Sequence, residues 1–125
     1  MAPIIWFSKA QRTVGTSNFG SEFIALKTGT ELIKSLRYKL HMMGVPIKGP
    51  ANVLVDNDSI VKNSTILSST LQKKHHVICY HFVREAVASQ IVHIAFIPST
   101  ENLADMFMKP LGAAKLKTLC QPILY

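Results

Sequence analysis

The chain has 125 residues, the size of one ordinary domain, and 48% of them are hydrophobic, so a core can form. Its formal net charge is +7 at neutral pH, and the basic residues are spread along the chain. A basic surface attracts polyanions and favours nucleic acid as a partner. A basic surface with no specific partner is the alternative.

Several classes of protein are excluded by the same sequence. No apolar run approaches the length of a membrane span, and the first residues lack the basic and apolar regions of a signal peptide. The two cysteines, Cys79 and Cys120, show no zinc-binding spacing, so we expect reduced thiols. These features predict an intracellular protein, in the cytoplasm or the nucleus, with no membrane partner.

The first part of the chain predicts a strand followed by a long helix. Residues 4–8 are rich in aromatic and β-branched side chains, which favours a strand with Trp6 and Phe7 in the core. Residues 19–43 repeat apolar side chains at helical spacing. Gly44 then supplies a plausible C-terminal stop for this helix.

The middle of the chain predicts a buried strand. Residues 51–56 are almost wholly apolar, which is typical of a central parallel strand buried on both faces. Asp56 would then lie at the carboxyl end of the strand, where open α/β sheets place their sites. Residues 59–63 suit a short helix, and residues 65–72 suit a polar loop.

The remainder predicts a second helix, a third strand and a final helix. Residues 73–89 suit a helix whose buried stripe consists of Ile78, Phe82 and Ala86. Residues 91–97 suit a strand with one apolar face, formed by Val92, Ile94 and Phe96. Thr100 would cap the final helix, and Pro110 either breaks that helix or begins a last amphipathic tail to Tyr125. The order of elements indicates one α/β domain over residues 1–125.

Three carboxylates stand out as candidate site residues because each falls at the edge of a predicted helix or strand. They are Glu22, Asp56 and Asp105. A divalent metal site built from oxygen ligands needs acidic groups that converge in this way. Each also has an ordinary interpretation: Glu22 as an acid in the first turn of a helix, Asp56 as a turn residue, and Asp105 as a solvated helix acid.

One basic cluster is a candidate contact for nucleic acid. Lys73, Lys74 and His75 are consecutive, and side chains of this kind bind backbone phosphates. A solvated run of charge is the alternative interpretation.

Five segments, in order, resemble the RNase H domain at the C-terminus of copia-type retrotransposon Pol polyproteins. The W-F-S-K-A-Q-R-T-V segment at residues 6–14 resembles that family's W-x-S-K-K-Q-x-x-V opening, and S-E-F-I-A-L at 21–26 resembles its A-E-Y-I-A-L helix start. V-D-N-D-S at 55–59 resembles its C-D-N-x-S strand end. K-H at 74–75 with Y-H-F-V-R-E at 80–85 resembles its K-H-I-D-I-R-Y-H-F-I-R-E helix, and I-P-S-T-E-N-L-A-D-M-F-M-K-P-L at 97–111 resembles its I-P-T-x-x-x-x-A-D-x-x-T-K-P-L ending.

The resemblance implies an RNase H-like mixed sheet flanked by helices and a metal-dependent hydrolysis of RNA in RNA–DNA hybrids. Glu22, Asp56 and Asp105 match the family's catalytic metal ligands, with Mg²⁺ or Mn²⁺ as the cofactor. One metal ion activates the attacking water and the other stabilises the leaving oxygen. The implied partners are an RNA–DNA hybrid or other nucleic acid, and an upstream reverse transcriptase segment. Asp58 matches no family ligand and is interpreted as a solvated neighbour. The alternative is an independent Mg²⁺ enzyme, in which Asp58 would substitute for an absent family ligand.

Departures from the family pattern predict a truncated domain. The family's first catalytic Asp lies upstream of the Trp-x-Ser-Lys segment, whereas no acid precedes Glu22 here. We therefore expect the first two strands and one metal ligand to be missing, and nuclease activity to be weak or absent in the isolated chain. Met108 replaces the family's Thr, and Val77 replaces its Asp. The alternative function is a non-catalytic basic segment of a larger Pol polyprotein that binds nucleic acid or serves a structural role.

Overall fold

The structure is a computed structural model that describes residues 3–6, 8, 10–11, 18–65 and 77–124. These ranges contain the helices α1 (Asn18–Met42), α2 (Asp58–Thr65), α3 (Val77–Ala88), α4 (Asp105–Met108) and α5 (Ala113–Leu124), and the strands β1 (Ala51–Val55) and β2 (Val92–Phe96). The chain is therefore a mixed α/β structure, as predicted. An RNase H-like sheet that lacks its first two strands stays a prediction.

The two strands form a small parallel sheet. Val53 lies opposite Ile94 in the register, and the Ile97 N–H extends the ladder by donating to the Val55 carbonyl over 2.9 Å. Parallel strands need a crossover between them, and α2 and α3 lie in that connection. Both strands consequently end at the same edge of the sheet.

The core lies between one face of this sheet and the three helices α1, α2 and α3. Its members are Phe23, Leu26, Ile60, Tyr80, Val83, Ala86, Val92 and Ile94. Val53 and Val55 pack against it from β1. Leu54 lies between them in the strand, so its side chain points to the opposite face of the sheet, where it is 57% exposed. The prediction that β1 is buried on both faces is therefore wrong, because a continuous apolar run does not reveal how many faces receive a covering layer.

Helix α3 buries a different stripe from the predicted one. Ile78 is 80% exposed, whereas Tyr80, Val83 and Ala86 are buried at i, i+3 and i+6. Phe82 is only partly buried, and the Lys34 Nζ lies 4.4 Å from its ring centroid. The predicted stripe fails because α3 carries apolar side chains on more than one face, so spacing alone does not select the buried one.

The predicted first strand is absent from the described part of the N-terminal segment. Residues 4–6 and 8 have no strand conformation, and Trp6 is 61% exposed instead of belonging to the core. A strand requires a hydrogen-bonded partner, which local composition cannot supply. Phe7, the other predicted core residue, lies outside the described residues.

The C-terminal region forms two helices, α4 before Pro110 and α5 within the segment predicted as an amphipathic tail. Thr100 does not cap the first of them, because α4 begins at Asp105 and its N-cap residue is Ala104, which makes no side-chain cap hydrogen bond. Lys109 is extended, with φ −130° and ψ 143°, as expected for a residue that precedes proline. Helix α5 follows and buries Leu119. Within the described ranges, no helix combines the length and the apolarity needed to cross a bilayer.

The predicted stop of α1 is confirmed by its hydrogen bonds. The Val45 N–H donates to the Leu40 carbonyl and the Gly44 N–H donates to the His41 carbonyl, both at 3.0 Å. This pattern is a Schellman motif, which requires a left-handed residue. Gly44 supplies it with φ of 77°.

Replacing Gly44 by alanine should lower the free energy of unfolding by about 1–2 kcal/mol, because a Cβ disfavours the left-handed conformation. Urea denaturation followed by circular dichroism measures the effect. Gly29→Ala is the matched control, since Gly29 lies inside α1 with open space around its Cβ position. That substitution should raise the free energy of unfolding by about 0.5–1 kcal/mol. Equal effects of the two substitutions would contradict the described end of α1.

Candidate functional site

Asp56 directly follows β1, so the structure confirms its predicted place at the carboxyl end of that strand. Ser99 lies in the turn after β2, and its Oγ donates to Asp56 Oδ2 at 3.5 Å. The contact therefore joins the segments that leave the two parallel strands. This edge of a parallel sheet is where α/β proteins bind their ligands.

Glu22 reaches the same edge from helix α1. It lies beyond the first turn, which contains no acidic residue, so the interpretation of Glu22 as a first-turn acid is wrong. Phe23 and Leu26 are buried in the core and fix this part of α1. The Glu22 Oε2 accepts a 2.6 Å hydrogen bond from Asn57 Nδ2, which brings its carboxylate to the residue that follows Asp56.

Asn57 connects this carboxylate to the start of helix α2. Its Oδ1 accepts the Ser59 N–H at 3.0 Å, and its carbonyl accepts the Val61 N–H at 3.3 Å, so Asn57 is the N-cap of α2. We assigned no role to Asn57 from the sequence. An asparagine between a strand and an Asp-Ser helix start is nevertheless a typical cap, and that pattern could have identified it.

Asp105 occupies a different environment. It is only 5% exposed, so the interpretation of Asp105 as a solvated helix acid is wrong. Its Oδ1 lies 3.1 Å from the Lys109 Nζ, a cation four residues further along the chain. A buried carboxylate needs such a partner to offset the loss of hydration.

The described residues do not gather the three predicted carboxylates into one cluster. No group of three or more His, Cys, Asp or Glu residues suited to holding a metal ion occurs in the ranges that the structure covers. Glu22 and the Asp56 segment are linked through Asn57, whereas Asp105 is paired with Lys109. The geometry thus defines a two-carboxylate edge, and the metal-binding role of all three residues stays a prediction.

The carboxylate oxygens at this edge suit a magnesium ion that also binds water and a substrate phosphate. Mg²⁺ prefers oxygen ligands and is often held by one or two carboxylates, with waters and substrate phosphates completing its octahedron. Glu22 and Asp56 fit an ion that is shared with a phosphate in this way. Among the described side chains, the set does not fit an ion enclosed by protein carboxylates alone.

The other predicted site residues divide into two groups. Asp58 is exposed and pairs with the Lys62 Nζ at 2.5 Å, which agrees with its interpretation as a solvated neighbour. Lys73, Lys74 and His75 lie outside the described residues, so their contact with phosphate stays a prediction.

The fold and the site define an α/β structure with acidic side chains at the carboxyl edge of a parallel sheet. The chain is 32% identical to the retrovirus-related Pol polyprotein from transposon TNT 1-94 of Nicotiana tabacum, over 122 residues that make up 97% of the chain. The Pol polyproteins from transposons RE2 and RE1 of Arabidopsis thaliana are 24% and 25% identical over 121 residues, again 97% of the chain.

The similarity covers only a small part of each relative. The chain spans 9% of the tobacco polyprotein and 8% of each Arabidopsis polyprotein. No protein-family model matches the chain. No solved structure matches it either. The homologues of the chain are therefore transposon Pol polyproteins, and its place within such a polyprotein is a matter for proposal.

Proposed function

We propose that the chain is an RNase H-like segment of a copia-type retrotransposon Pol polyprotein, whose ancestral reaction is the metal-dependent hydrolysis of RNA in an RNA–DNA hybrid. The link from Glu22 through Asn57 to the Asp56 segment is the observation that carries this proposal. It brings the Glu22 carboxylate to the residue that directly follows Asp56, although the two acids that match the family's metal ligands are far apart in the sequence. The similarity to transposon Pol polyproteins over 97% of the chain also supports it.

The chemistry follows from what the residues at this edge can hold. A bound Mg²⁺ or Mn²⁺ ion would supply Lewis-acid stabilisation of the phosphate and a more acidic water. Glu22 and Asp56 would hold the ion, and the Ser99 hydroxyl lies 3.5 Å from Asp56 Oδ2 on the exposed side of this edge. Lys73, Lys74 and His75 would contact the backbone phosphates of the hybrid and supply sequence-independent attraction.

The same geometry favours weak activity in the isolated chain. A two-metal mechanism clamps both the attacking and the leaving oxygen, which takes more ligands than two carboxylates provide. Asp105 pairs with Lys109 and belongs to no group of three or more possible metal ligands among the described residues, so the site at this edge consists of Glu22 and Asp56. A further acidic group from another Pol segment, such as the reverse transcriptase, would strengthen the site.

Cleavage of a labelled RNA–DNA hybrid tests this proposal. With Mg²⁺ or Mn²⁺ we expect slow cleavage by the wild type, and Asp56→Asn should reduce the rate by at least about 100-fold, because it removes a metal ligand. Asp58→Asn is the charge-matched control in the same segment. Its exposed carboxylate should be dispensable, so the rate should stay within about twofold.

The contradicting outcome favours a second function. Soluble, folded wild-type protein that binds the hybrid without cleaving it would contradict catalysis. The net charge of +7 favours such binding, and its affinity would fall as salt rises. The chain would then be a non-catalytic basic or structural segment of a Pol polyprotein.

A further inference from the structure

Asn57 is held at both ends of its side-chain amide. The Oδ1 accepts the Ser59 N–H at 3.0 Å, and the Nδ2 donates to Glu22 Oε2 at 2.6 Å. A backbone N–H requires an acceptor and a carboxylate requires a donor, so the two contacts together allow only one orientation of the amide. A rigid group therefore fixes one oxygen of Glu22 relative to the end of β1.

We propose that Asn57 is a positioning residue that holds the Glu22 carboxylate ready for a divalent cation shared with Asp56. This inference rests on the proposed metal-binding function of that edge. A carboxylate has about four acceptor sites, so one hydrogen bond from Asn57 leaves the rest of the Glu22 carboxylate for the cation. Hydrogen bonds of this kind orient metal ligands and typically change metal affinity by about 10–100-fold.

The shape of asparagine suits both contacts, and close alternatives do not. Serine can cap α2 with its hydroxyl, but its single oxygen lies too close to the backbone to cap the helix and also reach Glu22. Alanine provides neither contact. Asn57→Ser therefore separates the positioning of Glu22 from the capping of α2, while Asn57→Ala removes both.

Titration of the full chain with Mn²⁺ measures the effect. Asn57→Ser should weaken Mn²⁺ binding by about 10–100-fold while the melting temperature stays close to that of the wild type. Asn57→Ala should weaken binding equally and should also lower the melting temperature. Asn52→Ser is the matched control, because Asn52 is an exposed residue of β1. Its Mn²⁺ affinity should equal that of the wild type.

A double-mutant cycle identifies Glu22 as the group on which Asn57 acts. In a Glu22→Gln background, Asn57→Ser should cause no further loss of Mn²⁺ affinity, because the positioned carboxylate is already gone. A loss as large as in the wild type would overturn the proposed role, since Asn57 would then act through another group.

Two other outcomes have different meanings. If the wild type binds Mn²⁺ through Asp56 and Asn57→Ser binds it equally well, the positioning role is wrong and the metal site stands. If the folded wild type shows no saturable Mn²⁺ binding that Asp56→Asn removes, the metal site itself is wrong, and the role of Asn57 in it fails as well.

Discussion

Replacing Phe23 by alanine should lower the free energy of unfolding by about 3–5 kcal/mol. Phe23 is fully buried, and its ring centroid lies 6.0 Å from that of Tyr80, so it joins α1 to α3 across the core. The substitution deletes an aromatic side chain that the surrounding helices can only partly replace. Urea denaturation followed by circular dichroism measures the change.

Tyr38→Ala is the matched control for Phe23→Ala. Tyr38 is also an aromatic residue of α1, but it is 65% exposed, so its removal should change the free energy of unfolding by no more than about 0.5 kcal/mol. Equal costs at the two positions would contradict the described docking of α1. Because Glu22 precedes Phe23, loss of that docking would also move the carboxylate away from Asn57.

The second large effect is expected at Ile60, in the short helix α2. Ile60 is fully buried, so Ile60→Ala should lower the free energy of unfolding by about 2–5 kcal/mol. The side chain lies in the same core cluster as Val83 and Ile94. Its removal leaves a cavity where α2 meets the rest of the core, and chemical denaturation measures the cost.

Ile78→Ala removes the same atoms from an exposed position. Its cost should lie within about 0.5 kcal/mol of zero, since the Ile78 side chain gains little burial on folding. Ile78→Ala therefore tests which face of α3 packs inward, and Ile60→Ala gives the cost of the same deletion at a buried position in α2. A cost at Ile78 that matches the cost at Ile60 would restore the stripe predicted from the sequence and contradict the described one.

The elements that the sequence predicted correctly are those that depend on interactions between residues close together in the chain. The extent of α1 followed from helical periodicity, and its end followed from the left-handed conformation that glycine adopts at Gly44. Strand β1 was predicted from its apolar residues, yet the exposure of Leu54 depends on the layer that covers each face. The buried face of α3 likewise depends on tertiary packing, because both Ile78 and Val83 are apolar.

The candidate site divides in the same way. Asp56 could be placed because a strand end is a local feature, whereas the approach of Glu22 depends on a contact with Asn57, 35 residues away in the sequence. The Asp105–Lys109 contact spans one helical turn, and the i, i+4 rule could have predicted it. The burial of Asp105 could not be predicted, since it arises from the folded chain around α4.

The parallel pairing of β1 with β2 also sets an order of events during folding. Ala51 pairs with Val92, so the sheet closes a loop of roughly forty residues before any of its ladder bonds form. Helix α1 depends on local hydrogen bonds and is expected to form much faster. Asp56 and Ser99 meet only after the loop has closed, so we expect the acidic edge to be assembled late, after α1 has formed.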